Sequence, residues 1–144
     1  MGSKVRDAMT PTVETATPSQ RLSEAAQTMK AADIGSLPVV DHGRLVGVLT
    51  DRDIVMRAVA EGADVNTVEV GAVASREPIT TTPEESLDAA LALMAEHRVR
   101  RLPVVADGML VGILAQADVA IEAQEKSVGE MLQEISQPTS TARE

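Results

Sequence analysis

The sequence predicts an α+β fold made of two copies of one small unit, related by a single constant shift along the chain that carries Val5 onto Val70. The clearest match places Leu37–Val40 on Leu102–Val105, and the register holds without a gap from 5–58 to 70–123. Roughly a third of the paired residues are identical, which is far above chance for one fixed offset. Each copy is too small to fold alone. We therefore expect two pseudo-symmetric halves that share a core.

Each copy begins with a short extended segment, at 13–15 or 79–81, followed by a Thr-Pro pair. In Thr17-Pro18 and Thr82-Pro83, threonine is expected to cap a helix and proline to occupy its first position. Apolar residues then recur at helical spacing, which predicts an amphipathic helix with one buried face. These residues are Leu22, Ala25, Ala26 and Met29 in the first copy, and Leu87, Ala90, Leu91 and Met94 in the second.

Two strands joined by a tight turn follow each helix. His42-Gly43 and Asp107-Gly108 are typical of two-residue hairpin turns between β-branched runs. The second strands are expected at 45–49 and 110–114. We therefore expect one antiparallel hairpin in each copy.

A closing helix is predicted to begin near Thr50 in the first copy and near Ala115 in the second. Both copies then follow the order strand, helix, strand, strand, helix. Beyond them, four apolar residues at helical spacing predict one more helix: Val128, Met131, Leu132 and Ile135. The predicted divisions are a first repeat at 4–61, a linker at 62–69, a second repeat at 70–124, a C-terminal helix at 125–136 and a flexible tail at 137–144.

Composition narrows the classes of function. The absence of cysteine and the separation of His42 from His97 exclude thiol chemistry and argue against a dedicated transition-metal site. The net charge of −9 and the absence of Phe, Tyr and Trp argue against a nucleic-acid partner. No apolar run or leader suggests a membrane or secreted protein, so we expect a cytoplasmic one. A core without aromatic side chains benefits from oligomerisation, so we also expect a homodimer.

The repeated motifs resemble those of a CBS-domain pair, or Bateman module. Leu37–Val40, the turn at Gly43 and the segment Gly47–Asp53 carry the resemblance, and each has a counterpart at the same shift in the second copy. Within the family, the sequences at 49–55 and 97–104 are most similar to small two-CBS proteins of the hypoxic-response type. No catalytic domain, channel or transporter is attached, so the pair is expected to be the whole protein.

The resemblance implies two βαββα repeats packed sheet to sheet, in a protein that assembles as a disc-like dimer. It implies a non-catalytic regulatory module that needs no cofactor and binds AMP, ADP, ATP or S-adenosylmethionine in clefts between the repeats. Ligand binding would then regulate a protein partner, which the resemblance does not identify. A role in stress response rests on the family analogy alone.

Asp53 and Asp118 admit two interpretations. The family motif Gly-x-x-Thr-x-x-Asp falls on Gly47, Thr50 and Asp53, which implies that the Asp53 carboxylate accepts hydrogen bonds from the ribose hydroxyls. The same residues also fit a capping box, with Thr50 as the helix cap and Asp53 three residues later. In the second copy Ala115 replaces the threonine while Asp118 keeps the carboxylate. The two sites are therefore expected to be unequal.

His97, Arg98 and Arg101 are candidate phosphate ligands. The resemblance implies that a His-Arg pair ahead of the Leu-Pro segment contacts phosphate, as in AMP-binding members, and guanidinium groups can hold phosphate bidentately. The alternative is a solvated basic rim or a set of salt bridges at a dimer interface. The first copy carries no cation at the equivalent positions, 32–36. Which cleft holds the arginines stays open, and the two clefts are expected to differ in affinity.

Four further residues correspond to positions that line the adenine in family members: Val48, Ile113, Thr15 and Thr80. For the two aliphatic residues the alternative is ordinary strand packing. A ligand-free scaffold that acts through protein partners is the competing function, with Asp53 and Asp118 serving only as helix-terminal carboxylates. An enzyme is not expected, because no paired nucleophile and base, phosphate-cradling glycine loop or metal-ligand cluster is evident.

Overall fold

The computed structural model describes residues 2–11, 13–123 and 125. It confirms the mixed helix and strand architecture with two repeats in the same order. The C-terminal helix predicted at 125–136 and the tail predicted at 137–144 lie outside these residues, apart from Glu125. No helix in the described part of the chain has the length and apolar character that a bilayer span requires.

The first repeat is a helix, a hairpin and a closing helix, preceded by a one-turn helix, α1 (Val5–Ala8). Its elements are α2 (Leu22–Ala32), β1 (Ser36–Asp41), β2 (Arg44–Thr50) and α3 (Asp51–Ile54). Beyond α3 the backbone winds on as a π-helical turn, Val55–Val59. The predicted closing helix therefore starts where expected, immediately after Thr50.

The second repeat follows a 3₁₀ turn at Val70–Ala72 and has the same order. Its elements are α4 (Leu87–His97), β3 (Arg101–Ala106), β4 (Met109–Ala115) and a closing helix, α5, over 116–123. The extended segments predicted at the start of each repeat are reduced to single parallel bridges, from Ala16 to Val39 and from Thr81 to Val104.

The prediction that Thr-Pro pairs begin α2 and α4 is wrong, because both helices start later, at Leu22 and Leu87. The helix starts are set by pairing with distant segments. The N–H of Leu22 donates to the carbonyl of Val68, and that of Leu87 donates to the carbonyl of Ser3, each at 3.0 Å. These bonds occupy N–H groups that have no partner within the helix. Tertiary pairing therefore overrides the local Thr-Pro signal.

The two hairpins join at their turn ends into one antiparallel sheet of order β1-β2-β4-β3. The junction between β2 and β4 is a single pair, Arg44 with Met109. His42 and Asp107 both have φ of 53°, as expected in tight two-residue turns. The hairpins are thus equivalent in register, and their turns meet across the pseudo-symmetry axis.

Each repeat is completed by the N-terminal segment of the other repeat. Thr10, near the start of the first repeat, bridges to Ile113 in β4, while Ser75, near the start of the second, bridges to Val48 in β2. Each bridge has two N–H to carbonyl bonds of 2.8 to 3.0 Å. We call these two stretches, 4–11 and 69–78, the crossing segments.

The core consists of two aliphatic clusters, one for each repeat. Each cluster includes a fully buried valine from a crossing segment: Val70 in the first cluster and Val5 in the second. The predicted helix stripes are buried at Leu22, Ala25 and Met29, and at Leu87, Ala90 and Met94. Because the core of each repeat includes residues from the crossing segment of the other repeat, the two halves stabilise each other.

Candidate functional site

Two clefts form where the repeats meet, each close to the start of a closing helix. We name them after their carboxylates, the Asp53 cleft and the Asp118 cleft. Their volumes are about 290 Å³ and about 310 Å³, near the lower end of the range for ligand-binding clefts. Both are therefore large enough for a small ligand.

The clefts are lined by side chains from both repeats and share four residues. The Asp53 cleft is lined by Ser36, Pro38, Val48, Thr50, Asp53, Ser75, Arg76, Glu77, Pro78, Ile79, Val99, Arg101, Pro103 and Ile113. The Asp118 cleft is lined by Thr10, Val13, Glu14, Ala32, Ile34, Ser36, Pro38, Arg101, Ile113, Ala115, Ala117 and Asp118. The shared wall is Ser36, Pro38, Arg101 and Ile113.

Asp53 is held in place by a capping box at the start of α3. The Thr50 hydroxyl oxygen accepts a hydrogen bond from the N–H of Asp53, and Asp53 Oδ2 accepts one from the N–H of Thr50, both at 3.0 Å. The side chain is only 13% exposed, and its other oxygen, Oδ1, lies 4.0 Å from Nε of Arg57. The cap therefore orients a carboxylate that also lines the cleft, so the two interpretations of Asp53 describe compatible roles.

Asp118 occupies the equivalent position in α5 and lines the second cleft. Ala115, which stands in the place of Thr50, has no hydroxyl to accept the N–H of Asp118. The carboxylate is partly buried. The two sites therefore have the same acid on the same backbone, but only Asp53 is oriented by a reciprocal cap.

Arg101 is the cation that the fold brings to the clefts from the predicted basic stretch. It is the first residue of β3 and lines both clefts. The structure places His97 and Arg98 outside the lining of either cleft. His97 ends α4 with Nε2 3.8 Å from Oε2 of Glu96, and Arg98 follows with a left-handed φ of 55°. Of the three candidate phosphate ligands, Arg101 alone is thus part of the lining of a cleft.

The predicted adenine-lining residues separate into two groups. Val48 lines the Asp53 cleft and Ile113 lines both clefts. Thr15 lines a separate depression on the surface, and Thr80 is absent from the lining of both clefts. Their neighbours Glu14 and Ile79 face the clefts instead. Successive residues of an extended segment point to opposite sides, so a shift of one residue exchanges them.

The contribution of the crossing segments to the clefts was not evident from the sequence. Residues 75–78 line the Asp53 cleft, although they follow the first repeat in the chain, and Thr10 lines the Asp118 cleft. The prolines that start the paired strands, Pro38 and Pro103, were also missed as cleft residues. The repeat pairs Pro38 with Pro103 and Thr10 with Ser75, but every position of the repeat has such a partner, so the sequence contained no signal specific to the clefts.

The clefts differ in charge. Among the described lining residues, the Asp53 cleft has two carboxylates and two guanidinium groups: Asp53, Glu77, Arg76 and Arg101. The Asp118 cleft has two carboxylates and one guanidinium group: Glu14, Asp118 and Arg101. In formal charge the first cleft is balanced and the second is negative. Within the described part of the chain, no group of three or more His, Asp or Glu residues could hold a metal ion.

Comparison with known proteins identifies both repeats. A family model described as CBS domain matches residues 5–60 and 70–125. CBS domain-containing protein YhcV of Bacillus subtilis is 45% identical over 135 residues, covering 93% of this chain and 96% of its own. Hypoxic response protein 1 of Mycobacterium tuberculosis is 38% identical over 138 residues, covering 95% of this chain and 96% of its own.

Solved structures agree with this match. The crystal structure of Hypoxic Response Protein I with two coordinated zinc ions is 41% identical, with a TM-score of 0.77, and covers 83% of this chain and 98% of its own. The crystal structure of CBSX2 in complex with AMP is 30% identical, also with a TM-score of 0.77, and covers 88% of this chain and 99% of its own. The Arabidopsis thaliana protein CBSX2 is thus one structural neighbour with a nucleotide bound.

Proposed function

Since the chain belongs to the CBS domain family, as a tandem pair of repeats, we propose that it is a non-catalytic regulatory module that binds an adenine nucleotide in the Asp53 cleft. One observation carries this proposal. A carboxylate oriented by Thr50, two guanidinium groups and an aliphatic wall line the same cleft. These are the groups that ribose, phosphate and base require.

The ribose is assigned to Asp53. A carboxylate has two oxygens with several lone pairs, so Oδ2 can accept from the N–H of Thr50 while Oδ1 and the remaining lone pair of Oδ2 accept from a vicinal diol. The base is assigned to the aliphatic side chains Val48, Ile79, Val99 and Ile113, which are all partly buried. Burying a flat, weakly polar ring against such side chains is favourable without an aromatic partner.

The phosphate is assigned to Arg76 and Arg101. Guanidinium groups bind phosphate oxygens bidentately and keep their charge at all physiological pH values. The two cations come from different parts of the fold, Arg76 from a crossing segment and Arg101 from the start of β3. A phosphate that contacts both would link the crossing segment, which pairs with β2 of the first repeat, to the start of β3 in the second. Occupancy of the cleft could in this way favour one arrangement of the repeats over another. The AMP complex of CBSX2 supports a nucleotide ligand for this fold by analogy.

A homodimer belongs to the same proposal. Val55, Met56 and Val59, around the π-helical turn, are 53–58% exposed, and Ile121 in α5 is 52% exposed. Met56 and Ile121 are equivalent positions of the two repeats, so both closing helices present apolar side chains to solvent. We expect Met56→Lys to halve the mass measured by light scattering, whereas an unchanged mass would exclude this face as the interface. A scaffold without ligand, acting through protein partners, would use the same face.

Calorimetry with AMP tests the nucleotide proposal. The protein has no Phe, Tyr or Trp, so absorbance near 260 nm in a pure sample first reports any nucleotide already bound. Asp53→Asn keeps an oxygen that can accept from Thr50 but removes the charge, and we expect AMP affinity to fall at least about tenfold. Asp51→Asn is the matched control, because Asp51 lies in the same helical turn and outside the cleft lining.

The outcomes are distinct. Weakened binding in Asp53→Asn with normal binding in Asp51→Asn supports the nucleotide site. Binding that is equal in the wild type and Asp53→Asn contradicts the assignment of the ribose. If the wild type shows no heat with AMP, ADP, ATP or S-adenosylmethionine, the ligand-free scaffold becomes the better description.

A further inference from the structure

We propose that the two clefts sort adenine ligands by charge, and that the Asp118 cleft takes a neutral or cationic adenine nucleoside rather than a phosphorylated one. The choice of adenine as the base rests on the proposed function. The preference for charge rests on the lining of the Asp118 cleft and on the position of Arg101 between the clefts.

The first observation is a substitution between equivalent positions. Glu14 lines the Asp118 cleft at the place where Ile79 lines the Asp53 cleft. An aliphatic contact in one cleft is thus replaced by a carboxylate in the other. Together with Asp118, it gives the second cleft two negative charges on opposite repeats.

The second observation concerns the cations. Arg76 lines the Asp53 cleft, but its counterpart in the other copy is Pro11, which has no charge and does not line the Asp118 cleft. Arg101 has Ser36 as its counterpart, and both residues line both clefts. Arg101 is therefore the one cation among the described residues of the Asp118 cleft, and the Asp53 cleft uses the same side chain.

A phosphate in the Asp53 cleft makes this difference larger. Arg101 is exposed and lines both clefts. When its side chain turns to that phosphate, the Asp118 cleft, which Glu14 and Asp118 also line, has no other described cation. A second phosphate would then meet two carboxylates, whereas an ammonium or sulfonium group would be attracted by them. Solvent screens exposed charges. We therefore expect a discrimination of about tenfold, within the range typical of coupled sites.

The remaining lining suits the nucleoside part. Ile34, Pro38 and Ile113 provide an aliphatic wall, and Asp118 lies where Asp53 lies in the other cleft. Ala115 takes the place of Thr50, so one polar contact near the sugar is lost. We expect the absolute affinity of the Asp118 cleft to be lower than that of the Asp53 cleft.

Three ligands that differ only at the 5′ position test the proposal: AMP, adenosine and 5′-amino-5′-deoxyadenosine, whose amine is protonated. The protein is first saturated with AMP to occupy the Asp53 cleft, with one AMP expected per chain. Adenosine or the amine is then titrated by calorimetry. We expect the amine to bind about tenfold more tightly than adenosine, and a second AMP to bind more weakly than either.

Variants show which cleft takes the second ligand, the adenosine or amine that binds after AMP, and test why it binds there. Asp118→Asn is expected to weaken this second binding event, while Asp107→Asn is the control, since it removes a charge from the same repeat at a turn position whose φ of 53° asparagine tolerates. Glu14→Gln removes the charge alone and should reduce the preference for the amine over adenosine several-fold. Glu14→Ile copies the other cleft and should admit a second AMP.

The inference would be overturned if adenosine and the amine bind with equal affinity. It would also be overturned if Glu14→Gln leaves the preference for the amine over adenosine unchanged. Neither result would affect the nucleotide site at Asp53. A second event that Asp118→Asn does not weaken would also overturn the inference. If AMP does not bind at all, the proposed function fails by itself. Adenosine and the amine are then titrated without AMP, and the effects of Asp118→Asn and Glu14→Gln still decide the inference.

Discussion

The Asp53 and Asp118 clefts have the same backbone plan but different side chains. In each, a closing helix supplies an aspartate, a crossing segment supplies at least one lining residue, and Pro38 and Ile113 supply part of the strand wall. They differ at Thr50 against Ala115, and at Ile79 against Glu14. The repeat therefore provides equivalent backbone positions around both clefts, and a few differences in side chain at those positions make the two ligand sites unequal.

Gly47 and Gly112, one identical pair of the repeat, are required by the crossing segments. A Cβ atom on Gly47 would lie 2.6 Å from the carbonyl oxygen of Ser75, and one on Gly112 would lie 2.8 Å from that of Thr10. Both distances are too short for a side chain. The backbone crossings thus restrict these positions to glycine, while the lining of the clefts is free to change.

The largest expected effect comes from breaking one crossing. We expect Gly47→Ala to lower the free energy of unfolding by about 1–3 kcal/mol, because the new methyl group must displace the backbone at Ser75. Urea unfolding followed by circular dichroism measures the change. Gly112→Ala should have a similar effect on the other crossing.

Gly35→Ala is the control for this comparison. Its Cβ would meet the carboxylate of Asp51 at 3.0 Å, and that flexible side chain can move away. If Gly35→Ala destabilises the protein as much as Gly47→Ala, backbone crossing is not the reason for the glycine at position 47.

Exchanging threonine and alanine at the two equivalent cap positions, 50 and 115, should make the two aspartates more alike in how they are held. Thr50→Ala removes the acceptor for the N–H of Asp53, and we expect a loss of about 1 kcal/mol in the free energy of unfolding. AMP affinity should also fall, since Asp53 is then less well oriented. Conversely, Ala115→Thr should stabilise the protein by up to a similar amount. Equal stability and AMP affinity in wild type and Thr50→Ala would show that the cap does not contribute to either property.

The smallest effect on stability is expected at the exposed ion pairs between Glu84 and the first crossing segment. Glu84 lies 2.8 Å from Nζ of Lys4 and 3.0 Å from a guanidinium nitrogen of Arg6. The hydrogen bond from Lys4 lowers the pKa of the Glu84 carboxyl below its ordinary value of 4.5. A lowered native pKa contributes stability above the ordinary value, and this stability is lost as the pH falls through the native value.

We therefore expect Glu84→Gln to reduce stability slightly at neutral pH, with the difference disappearing in acid. All three side chains are well exposed, so solvent weakens the interaction. Urea midpoints measured at neutral and acidic pH check this. Glu85→Gln is the control, because Glu85 accepts from the N–H of Ser86 and not from a cation. A difference that grows as the pH falls would contradict the assigned direction.

Local features of this protein could be read from its sequence. The repeat was visible from a direct comparison of the chain with itself. The two hairpins with positive φ at His42 and Asp107, and the capping box of Thr50 and Asp53, depend on residues close together in the chain. Periodicity and turn chemistry act at that range, so they predict such features well. The predicted starts of α2 and α4 failed where pairing with distant segments overrode the local signal.

Tertiary structure alone decided how the clefts are composed. The exchange of crossing segments brings Arg76 to the Asp53 cleft, and the start of β3 places Arg101 between the two clefts. A shift of one residue in an extended segment made Glu14, rather than Thr15, a cleft residue. These outcomes depend on which distant backbones pair and on which side of a segment faces inward. Local propensity in the sequence contains neither kind of information, because both are set only when the two repeats pack together.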